Sequence, residues 1–368
     1  MKFLRKIFHV SLFTANIVVI LLFLLSAFSD RISPEKAVVF SFLGMGFPFL
    51  FIINVFFTVW WILFWAWKKV LVCVMSLLLG WGSINAYFPI HSQTKELPEN
   101  CLKILTYNVM GFHHATPHSK QNPNPVLQYI IDSEADVVCI QEHRSYENSQ
   151  HLSPGDLKKA LKMYPYSHFR RIKTATRELG IYGLSLYSKY PILSTEEVKF
   201  NSIYNGAFKA VLDIDGKKVT VINCHLETNN LSNEDRQEYD KMVKDFNSKN
   251  IDEMANRAFK KLTPAFKARA SQADKIAEIV KNDTNRYIVV CGDFNDTPIS
   301  YARKTIKGAL NDAFAKTGSG LGITYNRNHF YFRIDYILHS KNINSYNCSV
   351  GKLKNSDHYP VYTWLELK

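Results

Sequence analysis

Residues 287–296 read YIVVCGDFND: five apolar residues, Tyr287–Cys291, that stop at Gly292, Asp293, Phe294 and Asn295. The run has the length and the β-branched content of a buried strand. Gly, Asp and Asn are turn formers, so GDFND taken singly reads as a turn. The same shape recurs along the chain, and the recurrence changes that reading. Leu102–Tyr107 ends in Asn108, Asp136–Ile140 runs into Gln141–Glu142, and Val219–Cys224 ends in His225. Phe332–His339 carries Asp335 within RIDYIL, and Asp357–His358 precede the last apolar run, Tyr359–Glu366. Six apolar runs, each tied to Asn, Glu, His, Asp-x-Asn, Asp or Asp-His, are hard to explain as turns alone. Strand ends in a layered fold converge at one edge, so these side chains are expected to line one cleft.

Other strand-like runs are Ile181–Ser188, Ala207–Ile214 and Lys217–Cys224, the last two joined by Asp215–Gly216 as a hairpin. Helical patterns fall at Pro125–Ser133 and Asp156–Met163. A long charged helical stretch runs from about Asn233 to Lys281, interrupted near Pro264; because it follows His225, it is either a lid or simple packing. Hairpins mixed with strand–helix units predict two packed sheets covered by helices.

The N-terminal quarter is of another kind. Three stretches carry no formal charge: Ile7–Phe28, Ala37–Trp67 and Val70–Ile90. About 20 apolar residues cross a hydrocarbon core as a helix, so each is long enough. The basic start (Lys2, Arg5, Lys6) and the small residues Ser26, Ala27 and Ser29 are signal-peptide features. Against cleavage, the apolar part exceeds the usual ~7–15 residues and two more spans follow. Gly44, Gly46 and Pro48 predict a bent start to the middle stretch, with its spanning part from about Phe47 to Trp67. Lys2, Arg5 and Lys6 before the first span, and Lys68–Lys69 after the second, place the N-terminus inside. Three spans then put the following domain at the outer face of a cytoplasmic membrane.

The whole chain has a net charge of +13, and residues 92–368 hold 38 Lys and Arg against 30 Asp and Glu. That balance suits a phosphate-bearing substrate or an anionic membrane surface, and equally a solvated basic surface. The cysteines have no zinc spacing. Cys73 lies in a span, and Cys139, Cys224 and Cys291 read as core filler within apolar runs. Cys101–Cys348 is a candidate disulfide for an exported domain, with nothing local to support it.

The strand-end residues make chemical sense for phosphate ester cleavage. Glu142 and Asp357 are hard oxygen ligands of the kind Mg²⁺ takes, one or two at a time beside water and substrate oxygens. Asp293 is placed to orient or deprotonate an attacking water. Asn295, His225 and His358 can donate to a pentacoordinate phosphorane, where negative charge builds. Asp335 is the candidate acid that keeps His358 protonated.

In this order the motifs TYNV, QE, GLSLYSKYPI, NCHLE, GDFN, RIDYIL and SDHYPV resemble the endonuclease/exonuclease/phosphatase superfamily. Its members include deoxyribonuclease I, abasic-site endonucleases, inositol polyphosphate 5-phosphatases and neutral sphingomyelinases. The resemblance covers residues 101–368 and implies a four-layer α/β/β/α sandwich with metal-assisted attack of water on phosphorus. It implies Asn108 and Glu142 on the metal side, with Glu142 the main ligand, and His225 and His358 as paired histidines. Asp293 and Asn295 match the GDxN pair, Asp335 the acid supporting the last histidine, and Asp357 the acid just before it. His225 stands where abasic-site endonucleases typically carry tyrosine, and FRIDYIL replaces the WCDRIL-like string of the inositol phosphatases. His113, His114, His143 and Arg144 lie beside the motifs, as substrate contacts or as solvated loop residues.

The expected organisation is a membrane anchor of about three helices at 1–91, a linker at 92–100 and a catalytic domain at 101–368. The expected function is a membrane-anchored phosphoesterase using Mg²⁺ or Mn²⁺ on a phosphodiester or phosphomonoester, with lipid headgroups as the leading substrate class. A surface-anchored nuclease acting on nucleic acid is the alternative. An inactive membrane scaffold is disfavoured because every acidic and histidine position is filled.

Overall fold

The computed structural model describes residues 2–147, 151–172, 180–229, 248–327 and 330–368. Its N-terminal part is helical. The helix Lys2–Ala27 continues into a short turn, and Ile7–Arg31 is long and apolar enough to cross a membrane. The other two charge-free stretches are each broken. Val39–Met45 and Phe47–Leu63 meet at 57°, and Trp67–Leu79 and Trp81–Tyr87 meet at 64°. The first break is the one expected from sequence: Gly46 precedes Phe47–Pro48, and a proline belongs in the first turn of a new helix. The second was not expected. Gly80 lies against the Phe23 ring, where a Cβ would come within 2.6 Å of Cζ. Trp67–Leu79 rises only about 20 Å by itself, short of a ~30 Å hydrocarbon core. One to three crossings are therefore available, the larger number if each bent pair counts as one. Buried polar side chains tie these helices together: Asn16 Oδ1 accepts from Trp61 Nε1 at 2.8 Å and from Cys73 Sγ at 3.2 Å, and Asn54 Nδ2 donates to Ser76 Oγ at 2.8 Å.

From Cys101 onward the chain forms two six-stranded mixed sheets. In the first, β13 (Ile343–Val350), β14 (Val361–Leu367), β1 (Cys101–Asn108), β2 (Val137–Ser145), β4 (Ile181–Ser188) and β3 (Tyr166–Arg171) lie in that order. In the second the order is β5 (Ile192–Val198), β6 (Gly206–Ile214), β7 (Lys217–His225), β8 (Tyr287–Asp293), β12 (Asp335–His339) and β9 (Asn311–Asp312). Between the sheets, Ile104, Val137 and Leu184 from one face Phe208, Val221 and Val289 from the other, all buried. The helices Pro125–Asp132 and Pro154–Ala160 cover the first sheet through Leu127, Ile130 and Leu157. Ser248–Asn282 and Tyr301–Lys307 cover the second through Ala273, Ile276 and Ile306. This is the four-layer α/β/β/α sandwich.

Several details depart from the sequence reading. Phe332–His339 is two elements: β11 (Phe330–Phe332) pairs with β10 (Tyr325–Arg327) in a separate hairpin, and β12 starts at Asp335. The break falls at Arg333, which is buried over the Phe314 ring and donates through Nη2 to the Ala86 carbonyl. Residues 248–282 form one helix that runs through Pro264 without the expected interruption; residues 233–247 of that stretch lie outside the described residues. All six cysteines are free thiols. Cys101 and Cys348 sit on β1 and β13, with β14 between them. Strands two places apart are separated by about 10 Å, beyond the ~7 Å that a disulfide spans.

The helices and the sandwich share a packed junction. Ile299 is buried with Phe23, Phe47 and Tyr87, and Phe42 stacks on Phe259 and meets Phe266 edge-on. Gly44 is required here, since a Cβ would lie 2.3 Å from the Ile299 carbonyl oxygen. The linker is thus not the sole connection between the two parts. Nearby, Asp312 accepts from Arg303 Nη2 and caps the helix Ala313–Thr317 by accepting from Ala315 N. Burial would raise the Asp312 carboxyl, but Arg303 and Arg333 outweigh it and hold it below the ordinary carboxylate range.

A carboxyl lowered in the folded state stabilises fully above its unfolded pKa of about 3.9 and loses that contribution as pH falls through the folded value. Asp312→Asn leaves the buried Arg303 and Arg333 charges uncompensated. It should cost about 3 kcal/mol, lowering Tm at neutral pH by about 5 °C. Thermal denaturation of the full chain in neutral detergent should show that gap constant above about pH 4 and shrinking below it. An equal gap at every pH would refute the ionic account.

Candidate active site

Strand register brings the polar strand ends together. In the parallel pair β1–β2, Asn108 lies opposite Gln141; in the parallel pair β7–β8, His225 lies opposite Asp293. β12 runs antiparallel to β8 with Asp335 opposite Asp293. Pairing of β2 with β4 is interrupted between Ile140 and His143, a bulge that contains Glu142 at φ +53°. A bulge re-aims a side chain, and this one turns Glu142 into the cleft. Gly292 of GDFN has φ +134°, and a Cβ there would lie 1.9 Å from the Cys224 carbonyl oxygen, so only glycine lets β8 pass β7 at this point. Ser356 joins the last loop to the first strand, donating to Asn108 O at 2.8 Å and accepting from His358 N at 3.2 Å.

The eight residues singled out from sequence meet at this edge. Asn108 Nδ2 donates to Asp293 Oδ2 at 3.0 Å and to Glu142 Oε1 at 3.2 Å. His358 Nδ1 and Asp335 Oδ2 are 2.9 Å apart, and His358 Nε2 is 3.5 Å from Asp293 Oδ2. On the other side, His225 Nε2 is 3.6 Å from Asp293 and 4.0 Å from Glu142. Asn295 Nδ2 donates to Leu226 O at 2.9 Å, and its backbone N donates to Asp293 Oδ1 at 2.8 Å. Asp357 lies at the cavity wall with Arg327 Nη1 3.5 Å away. The residues beside the motifs do not line the cavity. His143 is buried against Ser185 and burial pushes its ring down to about 3, His113 meets the Asn355 carbonyl, His114 is exposed, and Arg144 lies over Tyr182.

Burial sets the protonation of this cluster, corrected by its neighbours. Asp293 is 1% exposed, and burial, opposed by His358 and reinforced by Asp335, pushes its carboxyl up to about 6. Burial lowers His225, more than Asp293 restores, so its imidazole is held neutral. Burial acts on His358 in the same direction, but Asp335 and Asp293 outweigh it and hold the imidazolium well above the usual histidine range. The two histidines are thereby pushed apart, one toward neutral and one toward charged, an arrangement suited to acid–base work.

Asp293, Asp335 and His358 bring ligand-capable atoms within 4.8 Å of one another. Asp335 and His358 are already committed to each other, so the opposite side of Asp293 is the better seat for a cation. Burial and the nearby charge of Asp357 both raise the Glu142 carboxyl. Converging carboxylates that destabilise each other are the hard oxygen set that a divalent ion relieves, and Glu142 and Asp357 fit one; Asn108, expected as a ligand, instead faces them with its amide nitrogen, its Oδ1 accepting from Met110 N at 3.2 Å. Both ring nitrogens of His225 are buried without a hydrogen-bond partner among the described residues.

The cavity in front of these groups measures 360 Å³. One wall was invisible in the sequence: Met45 from the N-terminal helices, with Leu262, Phe266 and Arg269 from the helix Ser248–Asn282. Arg269 is buried, with Nε on Asp296 at 3.1 Å and Nη1 on Glu227 O and Asn229 Oδ1. Its Nη2 has no hydrogen-bond partner among the described residues. Nothing in a charged helical stretch marks one arginine as buried, and nothing in an apolar stretch marks one methionine as lining a polar site.

Comparison with known proteins agrees with this fold. The family model described as Endonuclease/Exonuclease/phosphatase family matches residues 105–358, and one described as a domain of unknown function (DUF8431) matches residues 5–87. No curated protein matches the chain. Among solved structures, the human Nocturnin catalytic domain with bound sulfate aligns at TM-score 0.52 and 16% identity, over 74% of this chain and 96% of its own. The endonuclease/exonuclease/phosphatase from Bacteroides vulgatus aligns at 0.47 and 21%, over 73% and 100%. A humanized Danio rerio TDP2 aligns at 0.49 and 16%, over 73% and 100%. At these identities the likeness to Nocturnin speaks for the fold. With its sandwich, its strand-end cluster and a family match over most of its length, the chain belongs to the endonuclease/exonuclease/phosphatase family.

Proposed function

We propose that this protein is a membrane-embedded, Mg²⁺- or Mn²⁺-dependent phosphoesterase that hydrolyses the phosphate ester of a lipid headgroup. The observation that carries the reading is the shared wall. The cavity holding Asp293, His225 and His358 is bounded by Met45 and by Phe266, whose ring packs on Phe42 of the N-terminal helices. A substrate with a phosphate at one end and hydrocarbon at the other matches a cavity with those two sides. Family members are phosphoester hydrolases that generally use divalent metals. The Lys/Arg distribution supports a catalytic domain on the outer face of a cytoplasmic membrane, with residues 1–91 as anchor and 92–100 as linker. A +8 balance over residues 92–368 is the observation that favours the second reading, a nuclease, because backbone binding is electrostatic.

In this mechanism Asp293 accepts a proton from water as the water oxygen attacks phosphorus, and the ester oxygen departs. Asn108 holds the Asp293 carboxylate in place. His358, kept protonated by Asp335, donates to the oxygens on which charge builds, and Asn295 and neutral His225 complete that cradle. Arg269, ion-paired with Asp296, leaves its Nη2 as a free donor at the cavity wall among the described residues. Glu142 and Asp357 would hold the divalent ion, with Asn108 fixing the Glu142 carboxylate, and the ion would neutralise phosphate oxygens.

Full-length protein in detergent should hydrolyse bis-(p-nitrophenyl) phosphate with Mg²⁺ or Mn²⁺ and stop in EDTA. Asp293→Ala and His225→Ala should each lower kcat about 10²–10⁴-fold with Tm retained; turnover unaffected in both would exclude the assigned roles. Met45→Ser should leave that soluble diester within about twofold while raising KM for a phospholipid in mixed micelles about tenfold. Cleavage of DNA without cleavage of any phospholipid would decide for the nuclease.

A further inference from the structure

A second cavity, of 580 Å³, shares no lining residue with the catalytic one. The segment 296–299 separates them: Asp296 and Thr297 line the catalytic cavity and Ile299 lines the second. It lies where the first membrane helix ends, where the bent pair turns at Gly80, and where the helix Tyr301–Lys307 meets both.

Its charge is lopsided. Arg31, Arg303, Lys304, Lys307 and Lys316 line it, against Asp30 and Asp312. Asp312 is taken by Arg303, and Asp30 lies 3.6 Å from Lys304. Arg31, Lys307 and Lys316 form no salt bridge among the described residues, although Asp30 acts on Arg31 and Asp312 on Lys307 from farther away. Arg303 is 4% exposed, yet its Nε has no hydrogen-bond partner among the described residues. Burial and the repulsion of Arg303 pull the Lys307 ammonium below its ordinary range, as expected where cations crowd without enough counter-charge. Asp30 Oδ1 is also buried and unpartnered, an acceptor beside the cations.

Directly beside this polar chamber the surface turns apolar. Phe28 and Leu79 line it and are themselves exposed, and Leu25, Leu78 and Trp81 extend the exposed apolar faces of the same helices. The Arg31 guanidinium stacks over the Phe28 ring, at the boundary between the two surfaces. Phosphate-sized charge and hydrocarbon are therefore offered side by side at a helix end, which is how basic pockets between membrane helices take lipid headgroups.

We propose that this cavity is a binding site for the headgroup of an anionic glycerophospholipid, whose phosphate is held by Arg31, Lys307 and Lys316 and whose hydroxyl donates to Asp30. The acyl chains lie along Phe28 and Leu79. The lipid is a resident of the junction, not the substrate, and holds the sandwich down on the bilayer. The inference rests on the first helix crossing the membrane.

Native mass spectrometry of the full chain, released from micelles holding equal phosphatidylglycerol and phosphatidylcholine, tests this site. The wild type should retain phosphatidylglycerol several-fold over phosphatidylcholine. Lys307→Gln and Lys316→Gln should each cut that preference about fivefold, with hydrolysis of bis-(p-nitrophenyl) phosphate unchanged. No preference in the wild type, or an equal preference in the variants, would overturn the site. Thermal stabilisation by inorganic phosphate in lipid-free detergent, lost in the same variants and not exceeded by phosphatidylglycerol, would make it a soluble-anion site and overturn the lipid assignment. Release of the chain from membranes by alkaline carbonate would overturn the embedding on which the inference rests.

Discussion

A carboxylate at 1% exposure cannot stay where it is without neighbours that accept its charge, and Asp293 is at the centre of this protein in that sense. Its surroundings arrive from three strands and a loop. Asn108 comes at the end of β1, His225 from β7 and His358 from the turn before β14, while Asp335 of β12 keeps His358 charged and itself opposes the Asp293 charge. None of these contacts is local in sequence; Asn108 and Asp293 are 185 residues apart. Each depends on register, because a slip of one residue in any of these strands would turn the polar end to the opposite face. The sandwich is thus the device that makes one carboxylate tolerable in a buried place, and the shifted protonation of the two histidines follows from the same burial.

The second organising contact is between the helices and the sandwich. Gly44 against the Ile299 carbonyl and Arg333 against the Ala86 carbonyl fix the orientation of the two parts. Phe42 then holds Phe266 at the cavity wall. This chain builds part of its cavity from Met45, outside the segment that matches the family, so the N-terminal helices are a structural part of the candidate site.

Much of the sandwich was legible because its central strands are apolar runs with a polar residue at one end. Asn108, Glu142, His225, Asp293 and Asp335 could be found that way, and their arrangement follows from strand order. The edges were not legible. β3 reads YSHFRR and β5 carries exposed Leu193–Glu197, so neither has the apolar run that marks a strand buried on both faces. Arg333 broke a strand that looked continuous because a buried arginine needs acceptors, and no local pattern marks the Ala86 and Leu321 carbonyls as its acceptors. Met45 and Arg269 were hidden for the same reason: their role comes from what packs against them and not from their neighbours in sequence. The bend at Gly80 also depended on a distant ring, Phe23.

Free thiols have one further consequence. Cys139 and Cys291 belong to different sheets and are buried in the layer between them, and Cys224 and Cys348 are buried as well. Once the sheets have closed, no oxidant reaches these sulfurs. Before closure, a chain emerging on the outer face of a cytoplasmic membrane meets an environment that joins thiols. A bond drawn at that stage between cysteines that the finished fold keeps apart, such as Cys101 and Cys348, would freeze the wrong pairing. For a chain exported as proposed, folding is therefore a race in which sheet closure has to outrun oxidation, and its yield is set by timing at the moment of translocation.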